Sequence, residues 1–286
     1  MGAIPRAFVL RGARTAFVQD ARMDLELSGR AALLVGAGRG IGGAAALALA
    51  REGCGVAVVA RSAQSVEERA RLCLAEGAPH AVGIAADATD GAQLEAAVER
   101  AAGELGGLDL LVTLVGGSQP GGTAELDDKG WEQAFARNFW PAVRASRFAL
   151  PHLTRSAARR AASRSGTAIV HVASIWGREG GGALSYNAAK AALVSLAHEQ
   201  ARELAPRGIR VCSVAPGSIL HAGGSWERRL ANDPEGTRAF VQREIPFQRF
   251  GSAEEVADVI AFLCSARSSW VSGACVAVDG GQSRSF

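Results

Sequence analysis

The sequence predicts a single α/β domain built on one doubly wound parallel sheet with helices on both faces. Three observations carry this. From residue 30 onward, short apolar runs of strand length alternate with longer helical patterns. Several runs are rich in valine and isoleucine without polar alternation, as in strands covered on both faces. The first run passes through a glycine-rich turn directly into an Ala/Leu helix, and no linker or repeat divides the rest of the chain.

Strands are expected, in order, at Ala31–Val35, Gly55–Ala60, Ala81–Ala86, Leu108–Val115, Ala168–Ala173, Ile209–Ala215 and Cys275–Val278. Between the third and fourth, Asp90–Leu105 places Leu94, Ala97, Val98, Ala101 and Leu105 on one helical stripe. Ser65 with Glu68, and Ser252 with Glu255, have capping-box spacing, in which hydroxyl and carboxylate satisfy the free amides of a helix start. A long helix is expected over Tyr186–Leu204. Two stretches break the alternation. Arg155–Gly166 is a basic Ala/Ser/Arg segment read as a helix running into a surface turn, and residues 217–250 are a polar insert long enough to be a substrate lid. Residues 1–22 precede the pattern. Met23 reads as a natural start, which makes 1–22 a disordered or dispensable extension, with an organelle-targeting peptide as the alternative, and 23–286 the folded domain.

The 286 residues, 48% hydrophobic and 21% charged, suffice for a buried core without staples. The net charge of +3 resides wholly in residues 1–22, where Arg6, Arg11, Arg14 and Arg22 face one acid, Asp20. The remaining body is neutral, which removes the support for nucleic-acid binding through clustered cations. Five widely spaced cysteines among apolar neighbours read as reduced core residues of a cytoplasmic protein. The five histidines show no ligand spacing, so no metal site is expected. No apolar run approaches the ~20 residues a membrane span requires.

After the first strand comes Gly36-Ala37-Gly38-Arg39-Gly40-Ile41-Gly42-Gly43. Glycines there let the backbone turn tightly and approach a pyrophosphate at a helix start, the device of Rossmann-type dinucleotide folds. Two registers compete: Gly36, Gly40, Gly42 and Gly38, Gly40, Gly43. The second strand ends in Arg61 instead of the acid that holds ribose hydroxyls. With Arg39 it offers cations for a 2′-phosphate, favouring NADP(H) over NAD(H). Asp87 stands at the end of the third strand, where a carboxylate accepts from an adenine amino group. Ser174 closes the fifth strand, and Tyr186 and Lys190 follow one helical turn apart. An adjacent ammonium stabilises a phenolate, so the phenol becomes a usable acid or base. Asn138 adds a polar group able to hold a water or a backbone carbonyl.

These residues resemble the short-chain dehydrogenase/reductases, in particular 3-oxoacyl-(acyl carrier protein) reductase-like members. The resemblance spans roughly residues 24–283. It rests on the Gly36, Gly40, Gly42 register, Asp87, Asn138, Ser174, Tyr186-Asn187-Ala188-Ala189-Lys190, Pro216-Gly217, Arg249-Phe250-Gly251 and Asp279-Gly280-Gly281. It implies Tyr186 as general acid/base, Lys190 as the residue that lowers its pKa and binds the nicotinamide ribose, Ser174 as donor to the substrate oxygen, and Asn138 as anchor of a proton relay. It also implies contact of the nicotinamide carboxamide with backbone around Ile219, and a homo-oligomer, tetramer or dimer. Departures are Val35 for the usual threonine, Thr113-Leu114-Val115-Gly116 for an Asn-Asn-Ala-Gly turn, and no threonine from Pro216 to Leu220. Gly116 still permits close approach of backbone to cofactor, while the lost asparagines leave the bracing of the sheet in question.

The expected reaction is reduction of a carbonyl in a small-molecule or acyl-thioester substrate. Oxidation of an alcohol, polyol or dihydrodiol is the alternative, and a non-catalytic dinucleotide sensor a remote one. Trp176 is a wall of the pocket or a packing residue against a second subunit. His221, Trp226, Arg228, Arg229 and Phe240 in the insert offer an apolar ring beside two arginines, suited to an acidic or phosphopantetheine-bearing substrate unless the arginines only face solvent.

Overall fold

The computed structural model describes residues 23–118, 120–160 and 166–285. Nine strands occur among them: β1 (Ala31–Val35), β2 (Gly55–Ala60), β3 (Ala81–Ala85), β4 (Leu110–Thr113), β5 (Thr167–Val172), β6 (Ile209–Pro216), β7 (Ile219–Leu220), β8 (Gly251–Ser252) and β9 (Cys275–Val278). The helices are α1 (Gly40–Arg51), α2 (Ala63–Ala75), α3 (Gly91–Leu105), α4 (Asp128–Asn138), α5 (Trp140–Arg159), α6 (Leu184–Leu204), α7 (Ser225–Asn232), α8 (Pro234–Glu244) and α9 (Ala253–Cys264). Seven strands form one parallel sheet in the order β3-β2-β1-β4-β5-β6-β9, and β7 pairs with β8 in a separate parallel ladder. The predicted fold class holds.

Why the strand runs lack polar alternation is visible in β1. Ala32 and Leu34 enter a core shared with α1, α2 and α9, whereas Leu33 and Val35 enter a second core shared with α3, α5 and α6. Both faces are apolar because both are covered. Strand order reverses between β1 and β4, which places the ligand crevice at the carboxyl ends of those two strands.

Several boundaries differ from expectation. The fourth strand is confined to 110–113, where Thr113 still pairs with His171 on β5. The capping box expected at Ser65 is absent. Helix α2 begins one turn earlier, and Ser62 Oγ accepts from the Ser65 amide at 3.2 Å while the Ser65 hydroxyl donates back to the Ser62 carbonyl. The Ser252–Glu255 box forms as expected, with both reciprocal bonds present. Helix α6 starts at Leu184, before Tyr186. The 217–250 insert is no polar loop but β7, α7 and α8. Asp233 caps α8 by accepting from the Gly236 amide at 2.9 Å, with Pro234 in the first turn, where its missing N–H costs nothing. Of the basic 155–166 segment, α5 accounts for the residues to Arg159, and residues 161–165 lie outside the described residues, as does the 1–22 extension.

At the amino ends of the strands, buried Asp109 ties three elements together. Its carboxylate accepts from the Ala31 amide at 2.9 Å, from Arg160 Nε at 2.8 Å and from the Ser156 hydroxyl, with Arg30 Nη1 3.6 Å away. Those bonds and the Arg160 charge hold the carboxyl below the usual range against the opposing effect of burial. The cysteines are free, four buried and Cys275 half-buried. No helix among the described residues is long and apolar enough to cross a membrane.

Candidate active site

The glycine turn settles the competition between registers. Gly36 and Gly40 adopt φ of +93° and +57°, a region that disfavours side chains, and a Cβ on Gly42 would stand 2.6 Å from the Gly36 carbonyl oxygen. A Cβ on Gly38 or Gly43 would meet only the side chains of neighbours such as Ser65 or Arg69. The Gly36, Gly40, Gly42 register is therefore the one the backbone requires, and it leaves α1 opening with bare amides.

Above this turn lies a feature that the spacing of residues did not suggest. The His221 imidazole faces Gly40, with Cε1 2.8 Å from where a Cβ would be, and the Arg39 guanidinium lies against Gly223 of the insert. The segment after β7 thus folds over the start of α1. Sequence distance hid this contact, although both partners were visible individually.

Lys190, 2% exposed, donates from Nζ to the Val172 carbonyl at 3.0 Å, and its ammonium stands 5.7 Å from the centre of the Tyr186 ring. Burial pushes the lysine down to about 8. Burial also pushes the Tyr186 phenol up, opposed by a hydrogen bond from the Ser174 hydroxyl. Ser174 Oγ accepts from the Trp176 amide at 3.2 Å, which leaves its proton free for the phenol or a substrate oxygen. For the phenol, desolvation outweighs the Ser174 hydrogen bond, while the Lys190 ammonium bonds a carbonyl and faces the ring.

One cavity of about 490 Å³ gathers Ser174, Tyr186 and Lys190 with Gly116, Pro216, Gly217, Ile41 and Ile219. Trp176 forms part of its wall, packed over Gly181 and Gly182, and His221, Trp226 and Arg229 of the insert complete it. Gly36, Arg39, Gly40, Gly42, Arg61 and Asp87 lie outside this lining, along the turns that follow β1, β2 and β3. A larger cavity of about 750 Å³ sits beneath α7 and α8 but is lined by none of Ser174, Tyr186 and Lys190. Asp87 accepts from the Thr89 amide and hydroxyl at 2.9 and 2.8 Å, which holds its carboxyl low, with the Arg61 charge assisting.

Asn138 answers the question of bracing. Its Oδ1 accepts from the Gly117 amide at 2.9 Å, and its Nδ2 donates to the Gly117 carbonyl at 3.1 Å and the Ala134 carbonyl at 2.9 Å. The side chain is thereby committed to the turn after β4, and a Cβ on Gly116 would fall 2.8 Å from Asn138 Oδ1 and 3.0 Å from Lys190 Nζ. Behind the turn, the Thr113 hydroxyl lies 2.7 Å from His171 Nδ1 and His171 Nε2 lies 2.9 Å from Gln200 Oε1, a buried chain joining β4, β5 and α6. Gln282 accepts from the Ser218 amide at 2.8 Å and so fixes the Pro216-Gly217 turn. Among the described residues, no group of acidic, His and Cys side chains could hold a metal ion.

A family model described as "Enoyl-(Acyl carrier protein) reductase" matches residues 36–283, from the glycine turn past the C-terminal Asp279-Gly280-Gly281. The 3-oxoacyl-[acyl-carrier-protein] reductase FabG of Escherichia coli is 31% identical over 258 residues, 90% of this chain and 98% of that one. The chain belongs to the short-chain dehydrogenase/reductase family. Like other members of that family it is an NAD(P)-dependent oxidoreductase acting on CH–OH groups and the corresponding carbonyls. Cis-4-hydroxycyclohexanecarboxylate dehydrogenase of Sinomonas cyclohexanicum is 37% identical over 254 residues, 88% of this chain and 96% of that protein. The structure of L-sorbose reductase from Gluconobacter frateurii, complexed with NADPH and L-sorbose, superposes with a TM-score of 0.84 at 30% identity, covering 92% of this chain and all of that one. The fit of a dinucleotide to this short-chain dehydrogenase/reductase rests on its own backbone: a Cβ at Gly36, Gly42 or Gly116 would collide with the Val115 amide, the Gly36 carbonyl or Asn138 and Lys190, so glycines keep the turns around the crevice closely packed.

Proposed function

We infer that the protein is an NADP(H)-dependent reductase that converts a ketone, of the 3-oxoacyl type or similar, to an alcohol. The observation that carries this reading is the convergence of Ser174, Tyr186 and Lys190 on one cavity beside Gly116 and the Pro216-Gly217 turn. The amides of the Gly36–Gly42 turn hold the diphosphate, and Lys190 the nicotinamide ribose. Backbone at Ile219 holds the carboxamide. Bound there, the nicotinamide supplies the hydride. Tyr186 gives its proton to the carbonyl oxygen, and burial keeps the phenol protonated at neutral pH. Ser174, with Oγ already satisfied by the Trp176 amide, turns its own proton toward the same oxygen. Asn138 acts as a positioning residue through the Gly117 turn.

Arg61 supports the preference for a 2′-phosphate, because it replaces an acid at the end of β2. Initial rates with NADPH and NADH test this. For Arg61→Ala, KM for NADPH rises about tenfold, the equivalent of one charge-assisted hydrogen bond, while KM for NADH stays put. Faster turnover with NADH in the parent protein, or equal effects on both cofactors, would overturn it. A second reading, oxidation of a cyclic hydroxy acid, is favoured by the Sinomonas relative, whose name gives a carboxylate-bearing alcohol as its substrate.

The domain assembles as a homo-oligomer. Supporting this, β9 is an outer strand with half-buried apolar residues, and Phe262 and the fully exposed Trp270 come from the neighbouring segment. Residues 1–22 are dispensable for catalysis.

A further inference from the structure

Among the described residues, the cavity that holds Ser174 and Tyr186 contains no aspartate or glutamate, and its lysine and its arginine have different fates. Lys190 is turned inward onto the Val172 carbonyl. Arg229, on α7, is not engaged by any acid: it forms no ion pair among the described residues. Its neighbour Arg228 donates to the Gly223 carbonyl at 2.8 Å, and Arg249 pairs with Glu255 at 2.6 Å.

Aromatic faces hold Arg229 in place. Its guanidinium carbon stands 5.1 Å from the Trp226 ring centre and 5.3 Å from that of Phe240. Trp226 in turn stacks on Phe240 at 4.6 Å and leans on Phe250 at 5.1 Å. A cation over aromatic faces keeps its edge N–H donors free while losing part of its rotamer freedom in advance. Two neighbouring arginines on one helix thus have different tasks, one closing the loop and the other presented to the cavity.

We propose that Arg229 is the receptor for a carboxylate on the substrate, so that this enzyme acts on a small ketone or alcohol bearing an acid group. The planar fork matches the two oxygens of a carboxylate, and no acid among the described lining residues stands against an anion. The acid end anchors at α7, and the carbonyl end reaches Ser174 and Tyr186. The proposal rests on the reductase reading, and its test separates the two.

Calorimetric titration of the NADPH-loaded protein with cyclohexanecarboxylate and with its neutral isostere cyclohexanecarboxamide reads the recognition without turnover. The carboxylate binds at least about tenfold more tightly, as one charge-assisted pair provides, and Arg229→Met removes that advantage while Arg229→Lys keeps part of it. Thermal melts check that the variants remain folded. Reduction of 4-oxocyclohexanecarboxylate and its methyl ester supplies the kinetic arm: Arg229→Met raises KM for the acid about tenfold or more and leaves the ester within about threefold. Equal binding of carboxylate and carboxamide, or a preference that survives Arg229→Met, overturns the assignment of Arg229. Reduction of the ester as efficiently as the acid would do so while leaving the reductase reading intact. Carboxylate binding without NADPH oxidation by any ketone would instead sink the reductase reading.

Discussion

Tyr186 is the only tyrosine in the chain, and it sits on an early turn of α6, where burial raises its pKa against the opposing hydrogen bond of the Ser174 hydroxyl. Replacing it with phenylalanine removes the proposed proton donor but little volume. Turnover of Tyr186→Phe is expected to fall by about 10²- to 10⁴-fold, with NADPH binding measured by fluorescence titration unchanged. Lys190 sets an alkaline limit. Its pKa near 8 lies below the ordinary lysine value because burial disfavours the ammonium, so kcat/KM is expected to decline as pH rises through about 8, a decline recorded in a pH–rate profile. Both residues were legible in the sequence, because one turn of helix brings positions four apart onto one face. The chain Thr113–His171–Gln200 was not. Its members lie 58 and 29 positions apart, and only the register of β4 against β5 and the packing of α6 unite them.

Elements, rather than residues, account for stability, and two predictions belong there. The His171 imidazole bridges β4, β5 and α6 in full burial, which with the Lys190 charge pushes it down to about 4 from an ordinary 6.5. The unfolded chain therefore takes up the proton first as pH falls. Stability is expected to decline from pH ~6.5 toward 4 by on the order of 3 kcal/mol at this site, and His171→Gln to flatten that slope in urea melts at several pH values. At the opposite ends of the strands, Asp109 binds β1 to α5. Asp109→Asn leaves buried Arg30 without its counter-charge and is expected to cost about 3–5 kcal/mol, with kcat of the folded fraction retained because the site lies at the carboxyl ends. The seven strands of the main sheet and α3 were readable to within about two residues from apolar runs and a helical stripe, whereas β7 and β8 were not expected. The two helices of the insert were not readable, since neither α7 nor α8 buries more than a single residue of its surface and their few apolar residues, Trp226 and Phe240 among them, stand amid charged ones.

At the scale of the molecule, three cations of a body with a neutral charge balance stand in different settings. Arg61 ends a strand, Lys190 faces a phenol and Arg229 leans on indole and phenyl rings. The apolar outer edge at β9 and Trp270, 99% exposed, leads to the expectation that the protein elutes above its monomer mass of 29.5 kDa. Light scattering on Phe262→Glu with Trp270→Glu should record a smaller species.

The ladder of β7 and β8 has a further consequence. Ile219–Leu220 leads out of the sheet and Gly251–Ser252 returns beside it in register, so the chain leaves and re-enters the body through a single paired gateway. The ladder is parallel, so the chain strung between those two strands, α7 and α8 included, travels back to the starting end of β7 before re-entering beside it. Because His221 lies on Gly40 and Trp226 and Arg229 line the same cavity as Tyr186, a change of that segment alters the walls of the substrate space and the cover over the start of α1 together.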